Sequence, residues 1–406
     1  MMNRHTLSAL IIAISLGSGA TARAQTTDLN KSTPLSSAPA ASSNVERGAP
    51  YPLTTTAGTG DLGVIIGRNI CANGISADGS VIVGSFIDAN NVQHAYRWTK
   101  SGGAQDLGTM GGASASANGV SADGSVIVGT IGEGRYGERA VRWTQSGGVQ
   151  DLGTMGGMSA SANSISADGS VIVGAFEGHS NGGFFGISEF RHGFRWTESG
   201  GAQDLGDLGR GGNQLPSDIS VSADGSVIVG VIVGGISDTN GKFGWRAFRW
   251  TQSGGMQDLG IMGGAWVKGV SADGSVIVGN FRDAKNYERH AFRWTQSGGT
   301  QDLGTMGGGA ENVTGVSADG SVIVGFFLAP YGVLHVYRWT ESGGAQDLGA
   351  LSGQAALPHR VSADGSVIVG MYRDNGVAHA FRWTQSEGAQ DLGTMFWQAA
   401  VDQRRF

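Results

Sequence analysis

GVSADGSVIVGTIGEGRYGERAVRWTQSGGVQDLGTMGG, from Gly119 to Gly157, is the stretch that decides the fold. Its core SADGSVIVG recurs from Ser76, Ser121, Ser166, Ser222, Ser271, Ser317 and Ser362. An RWT segment follows each copy, with tryptophans at 98, 143, 196, 250, 294, 339 and 383, and QDLG closes each unit. Successive spacings of 45, 45, 56, 49, 46 and 45 residues are those of propeller blades.

Each unit reads as four strands. In the second, Ser116–Ser121 is a short first strand, and Asp123-Gly124 is a strong hairpin turn signal. Val126-Ile127-Val128 is apolar on consecutive positions, so both faces of this second strand need cover. Ala140–Thr144 forms a third strand carrying the tryptophan, and Ser146-Gly147-Gly148 turns it into a fourth at Val149–Gly153. Sheets stacked around an axis supply the neighbours that two buried faces require, with one tryptophan per sheet filling the gap. The expectation is an all-β, seven-bladed β-propeller of four-stranded repeats over residues 58–395, with a β-solenoid as the alternative. There are eight DLG segments but seven of every other element. If the N-terminal one at 61–63 completes the last blade, as expected, the ring closes without a free edge, and either it or the terminal copy at 391–393 is redundant.

Flanking segments read differently. Residues 1–24 have a basic start at Arg4, the apolar run Leu7–Leu16 and small residues at Ala22 and Ala24, the pattern of a signal peptide. That run is too short to cross a bilayer comfortably. Residues 25–57 are rich in Ser, Thr, Ala and Pro without periodicity and read as a disordered linker. Residues 396–406 form a tail. The mature chain is expected to lack a transmembrane segment, to be a monomer, and to be secreted or surface-displayed, with the periplasm as the other destination.

The motif His-Ala-Phe-Arg-Trp-Thr at 290–295 and 379–384, with SADGSVIVG and QDLG, resembles the HAF-repeat family of bacterial exported proteins. Some members of that family are similar to autotransporter passengers, which precede a membrane β-barrel. Here only MFWQAAVDQRRF (395–406) follows the last repeat, too little for barrel strands. The broader layout of turn, tryptophan strand and short fourth strand is similar to WD-type propellers.

Composition narrows the function. A formal charge of −6, or −8 once Arg4 and Arg23 leave with the signal, argues against nucleic acid as a partner. Cys71 is the single cysteine, so no intrachain disulfide forms. Histidines precede the third strand at 94, 192, 290, 335 and 379, with Arg139 and Arg246 in the other two units. Equivalent points on separate blades diverge, so a hydrogen bond within each blade is expected rather than a metal site. One aspartate per SADG turn suits an Asx turn better than calcium. Gly132-x-Gly134-x-x-Gly137 leads into a strand, not a helix, and offers no dinucleotide site. No cofactor is implied and no catalytic residue stands out.

The two hairpin turns near-identical in all units lie at one end of each blade, and the variable connections lie at the other. The longest insertions, Glu177–Arg191 and Val233–Trp245, are variable connections. A fixed scaffold with divergent loops on one face is arranged for recognition. Its candidate ligand-binding residues are Arg135, Tyr136, Arg191, Trp245, Arg246, Trp266, Arg282, Tyr287, Arg289, Tyr331, Tyr372 and Arg373. Arginine and aromatic residues dominate binding hot spots, and aromatic rings stack on sugars. The expected partner is an extracellular protein or glycan. The rival readings are a polysaccharide hydrolase or lyase using carboxylates such as Asp283 or Glu288, and a structural passenger without a ligand.

Overall fold

The structure is a computed structural model. It describes residues 68–99, 101–134, 137–181, 187–206, 215–233, 245–260, 264–283, 288–305, 311–329, 332–350, 355–374 and 377–394. The expected signal segment (1–24) and linker (25–57), the DLG at 61–63 and the expected tail (396–406) lie outside the described residues.

Each repeat folds into its own four-stranded antiparallel sheet in simple up-and-down order, giving seven sheets, here blades 1 to 7. A β-solenoid would thread its repeats through shared sheets; one self-contained sheet per repeat is instead the layout of a seven-bladed β-propeller. Blade 2 consists of Ser114–Val120, Val126–Gly132, Glu138–Thr144 and Gly148–Gly153, two residues or fewer from the sequence reading at every strand start. First strands of consecutive blades touch one another and converge toward the axis, while fourth strands such as Gly148–Gly153 lie exposed at the rim.

The consecutive apolar run does what its pattern demands. In blade 2 the second strand is buried on both faces from Val126 to Ile131. Val81, Val83 and Ala95 of blade 1 pack against Ala117, Ile127 and Val141 of blade 2, and comparable clusters fill the five following seams. The tryptophan of RWT is buried in six blades and half-buried at Trp143. The glycine ending VIVG is obligatory for packing. At Gly279 an added Cβ would meet the Trp266 carbonyl and sit 2.8 Å from the Phe292 ring.

The SADG turn is a repeated device. Ser121 Oγ donates to Asp123 Oδ1 at 2.6 Å, the Ser125 amide donates to the same oxygen, and Ser121 Oγ accepts from the Val126 amide. Gly124 takes φ +73°. The alanine of this turn stitches neighbouring blades together, the Ala122 amide donating to the Ala167 carbonyl at 2.8 Å. Such backbone links join blade 1 to 2 and each following pair through blade 7.

The last seam differs. Blade 7 takes its fourth strand, Gly388–Thr394, from the terminal DLG copy. The expected closure by the 61–63 copy lies outside the described residues. Among the described residues no such link joins Ala363 to Ala77, and Val367 and Val369 are half-buried where their six counterparts are buried.

Candidate functional site

The histidine position is structural. His94, His192, His290 and His335 each place Nδ1 2.9–3.0 Å from a carboxylate oxygen of the QDLG aspartate twelve residues on. Arg246 does the same to Asp258 at 2.6 Å, and Arg139 pairs with Asp151. The aspartate also accepts from the amide two residues ahead, as at Gly304. The pair ties the third strand to the fourth within a blade. Arg246 thus belongs to the scaffold. Among the described residues no three His, Cys, Asp or Glu side chains converge as metal ligands would.

A cleft of about 640 Å³ opens between blades 1 and 2 at the constant-turn end, lined by Arg97, Asp123, Arg142, Trp143 and Gln145 among others. Its lining is repeat residues: the arginine of RWT is an interblade contact, Arg142 of the lining to Glu198 at 3.2 Å and its counterpart Arg293 to Glu341 at 3.6 Å. These groups belong to the stacking of blades.

The variable end is where the repeats part company. Blade 4 opens its third strand (Trp245–Thr251) with Trp245, which is 38% exposed. The first strand of blade 5 (Ala265–Val270) carries Trp266 where blades 2 and 3 have Ser116 and Ser161. The two indoles meet with centroids 5.2 Å apart and planes tilted by 56°. The second strand of blade 5 ends at Arg282 and its third begins at Arg289, paired residues across the ladder. Both guanidiniums lie over the Trp266 ring, at 6.0 and 5.4 Å from its centroid. Arg289 reaches onward to blade 6, where Nη1 donates to Asn312 Oδ1 at 2.6 Å. Burial holds the Arg289 guanidinium below its ordinary value, and the like charge of Arg282 adds to this. Four residues of the sequence reading, Trp245, Trp266, Arg282 and Arg289, are therefore one cluster on blades 4 and 5, which Asn312 extends to blade 6.

Among the other described candidates, none joins it. Tyr372 is corrected by the structure: at 2% exposed, it packs with Val322, Val324 and Phe381 in the seam between blades 6 and 7. Its strand continues to Asp374, so the tyrosine sits inside the ladder and its ring fills the seam. Arg191 sits 3.5 Å from Glu177 across a hairpin. There the described residues of the insertion of unit three are paired strand. They lengthen the second and third strands to Val171–Asn181 and Ile187–Thr197, since continued pairing satisfies their backbone. Arg135, Tyr136, Tyr287 and Tyr331 lie outside the described residues, as does the side chain of Arg373.

Two groups escaped the sequence reading. Asn312 is the polar end of the cluster. Beside it Glu311, fully buried, occupies a position held by Ala115, Ala160, Ala265 and Ala356 in other units. Aligning the units residue by residue would have exposed that substitution.

No family model matches the sequence, and no curated protein matches it. Solved structures do match in fold. The β-propeller domain of the trilobed protease from Pyrococcus furiosus, described as having an open velcro topology, is similar over 80% of this chain and 97% of its own, at 10% identity and TM-score 0.51. Dipeptidyl peptidase 4 from Porphyromonas gingivalis is similar over 79% of this chain at 10% identity and TM-score 0.54. A prolyl endopeptidase is similar over 78% at 13% identity and TM-score 0.55. The chain spans about half the length of those two peptidases, 52% and 48%. At such identities the likeness shows the propeller fold alone.

Proposed function

We propose that this chain is an exported recognition module of the HAF-repeat type, binding an extracellular protein or glycan through the variable end of its propeller. The observation that carries the reading is the Trp245–Trp266–Arg282–Arg289 cluster. Indoles and guanidiniums are the groups most often responsible for binding energy, and here they gather at the end where the repeat imposes nothing. At the constant end the same residue types are consumed by scaffold contacts. Export rests on the character of residues 1–24, with processing before Gln25.

The test is an array of glycans and cell-surface proteins probed with the purified chain and with Trp245→Ala. Trp245 is partly exposed, so its removal should leave the melting temperature close to that of the parent. Selective binding by the parent, lost in the variant, is the expected result. Equal binding by both, or none by a folded parent, would overturn the reading. Sequencing the N-terminus of the exported protein checks processing before Gln25.

A further inference from the structure

The cluster has a direction. Trp245 belongs to blade 4, Trp266, Arg282 and Arg289 to blade 5, and Asn312 to blade 6, each in contact with the next. A row of side chains crossing three blades suits an extended chain better than a compact ligand. Its chemistry alternates in kind: an indole pair at one end, guanidiniums in the middle, an amide at the other end. Asp283 and Glu288, next to the two arginines in sequence, are each engaged within the protein.

We propose that this row binds an acidic polysaccharide, a chain whose sugar rings carry carboxylates. The inference rests on the recognition reading above and names its ligand class. A pyranose ring has an apolar C–H face that stacks on an exposed indole such as Trp245. A carboxylate on the same ring accepts paired N–H donors from a guanidinium in fixed geometry. Arg282 and Arg289 are like charges gathered on one indole, and an anion between them relieves their repulsion. A neutral glycan would use the indoles and leave the arginines idle. An acidic peptide would use the arginines and leave the indoles to other side chains. A uronate chain engages both with every ring.

Affinity gel electrophoresis of the purified chain tests this, with polygalacturonate and alginate as probes. Amylose serves as the neutral control, dextran sulfate as the sulfated one and poly-glutamate as the peptide one. The expected result is retardation by a polyuronate, with amylose and poly-glutamate at least about tenfold weaker. Arg282→Gln and Trp245→Ala should each weaken polyuronate binding by about tenfold while melting like the parent. No retardation of the folded parent by either polyuronate overturns the proposal. So does equal binding of dextran sulfate or poly-glutamate, which would mark a general attraction for anions, and so does unchanged binding by both variants. If an array ligand depends on Trp245 while polyuronates do not bind, the ligand class fails and the recognition face stands.

Discussion

The carboxyl of Glu311 faces the hydroxyl of Tyr337 inside the seam between blades 5 and 6, and both side chains are wholly buried. Among the described residues neither carboxylate oxygen makes a hydrogen bond of good geometry, although the Tyr337 hydroxyl and the Ala291 amide lie close. Asn280, also buried, adds its own bonds to the Glu311 carbonyl and the Val313 amide. A junction that is apolar in neighbouring blades is polar here. Burial pushes the Glu311 carboxyl up to about 8, with the charge of Asp302 adding to it.

Glu311 should therefore make stability depend on pH. Below about pH 4.5, the ordinary carboxyl value, Glu311 is protonated both folded and unfolded and contributes no pH dependence. Between 4.5 and 8 only the folded state keeps the proton, so stability falls as pH rises, and above 8 the loss is complete. Glu311→Ala restores the residue found in four other units and removes the buried acid. At pH 8 it should stabilise the protein by about 1–3 kcal/mol. Urea unfolding of parent and variant at pH 5 and pH 8 checks this. A variant that keeps the parent's difference between the two pH values would show that Glu311 does not carry the penalty.

Two glycines of positive φ should differ in cost when changed to alanine. Gly299, at φ +64°, has open space where a Cβ would go, so Gly299→Ala meets backbone strain alone, about 1–2 kcal/mol. Gly320, at φ +73°, would bring its Cβ within 2.5 Å of Val276 Cγ2 in blade 5. Backbone strain and a clash across the seam together should cost about 3–5 kcal/mol. Denaturation midpoints decide the order, and equal losses at both sites would mean the seam yields freely.

The blade count, the strand order and the buried faces were legible because one pattern is stated seven times and each copy corrects the reading of the others. The SADG turn and the histidine tie were legible for the same reason. The site was legible only as a set of residue types at one end. That Trp266 stands between Trp245 and two arginines follows from how far each side chain reaches across a seam, which no spacing records. Tyr372 was misplaced because its position at the end of the second strand looks like the start of a loop, and only the extended ladder puts it inside. Glu311 was overlooked because it is a single departure within a segment that varies among units.

The His–Asp tie should tolerate exchange but not deletion. Arg246 and Arg139 already replace histidine opposite their own aspartates. His290→Arg should accordingly keep the pairing with Asp302 and leave the melting temperature within about 2 °C of the parent. His290→Ala should cost up to about 1 kcal/mol, since the aspartate is half exposed and solvent screens the pair. A double-mutant cycle with Asp302→Asn measures the coupling, and a coupling of zero would reduce the tie to strand packing.

Acid should attack the turns of all seven blades together. Asp78, Asp123, Asp168, Asp224, Asp273, Asp319 and Asp364 are all held below the ordinary carboxylate value, Asp123 and Asp364 down to about 2. At Asp123 the causes are the Ser121 hydroxyl first, then the amide and hydroxyl of Ser125, all of which donate to the ionised form. A depressed folded value means that the contribution is whole above the unfolded value of 3.8 and is lost as pH falls toward 2. Unfolding in that window must take up protons, since the unfolded chain binds them more readily. Each turn is mostly exposed, so a single one counts for little; seven acting in the same direction should make stability fall steeply below pH 4. Calorimetric unfolding at pH 3 in two buffers of different ionisation enthalpy gives the number of protons taken up. Asp123→Asn removes one titrating group and should lower that uptake by a fraction of a proton while leaving the other six turns intact. An uptake unchanged by the substitution would mean that the turn carboxylates are as easily protonated in the folded protein as in the open chain.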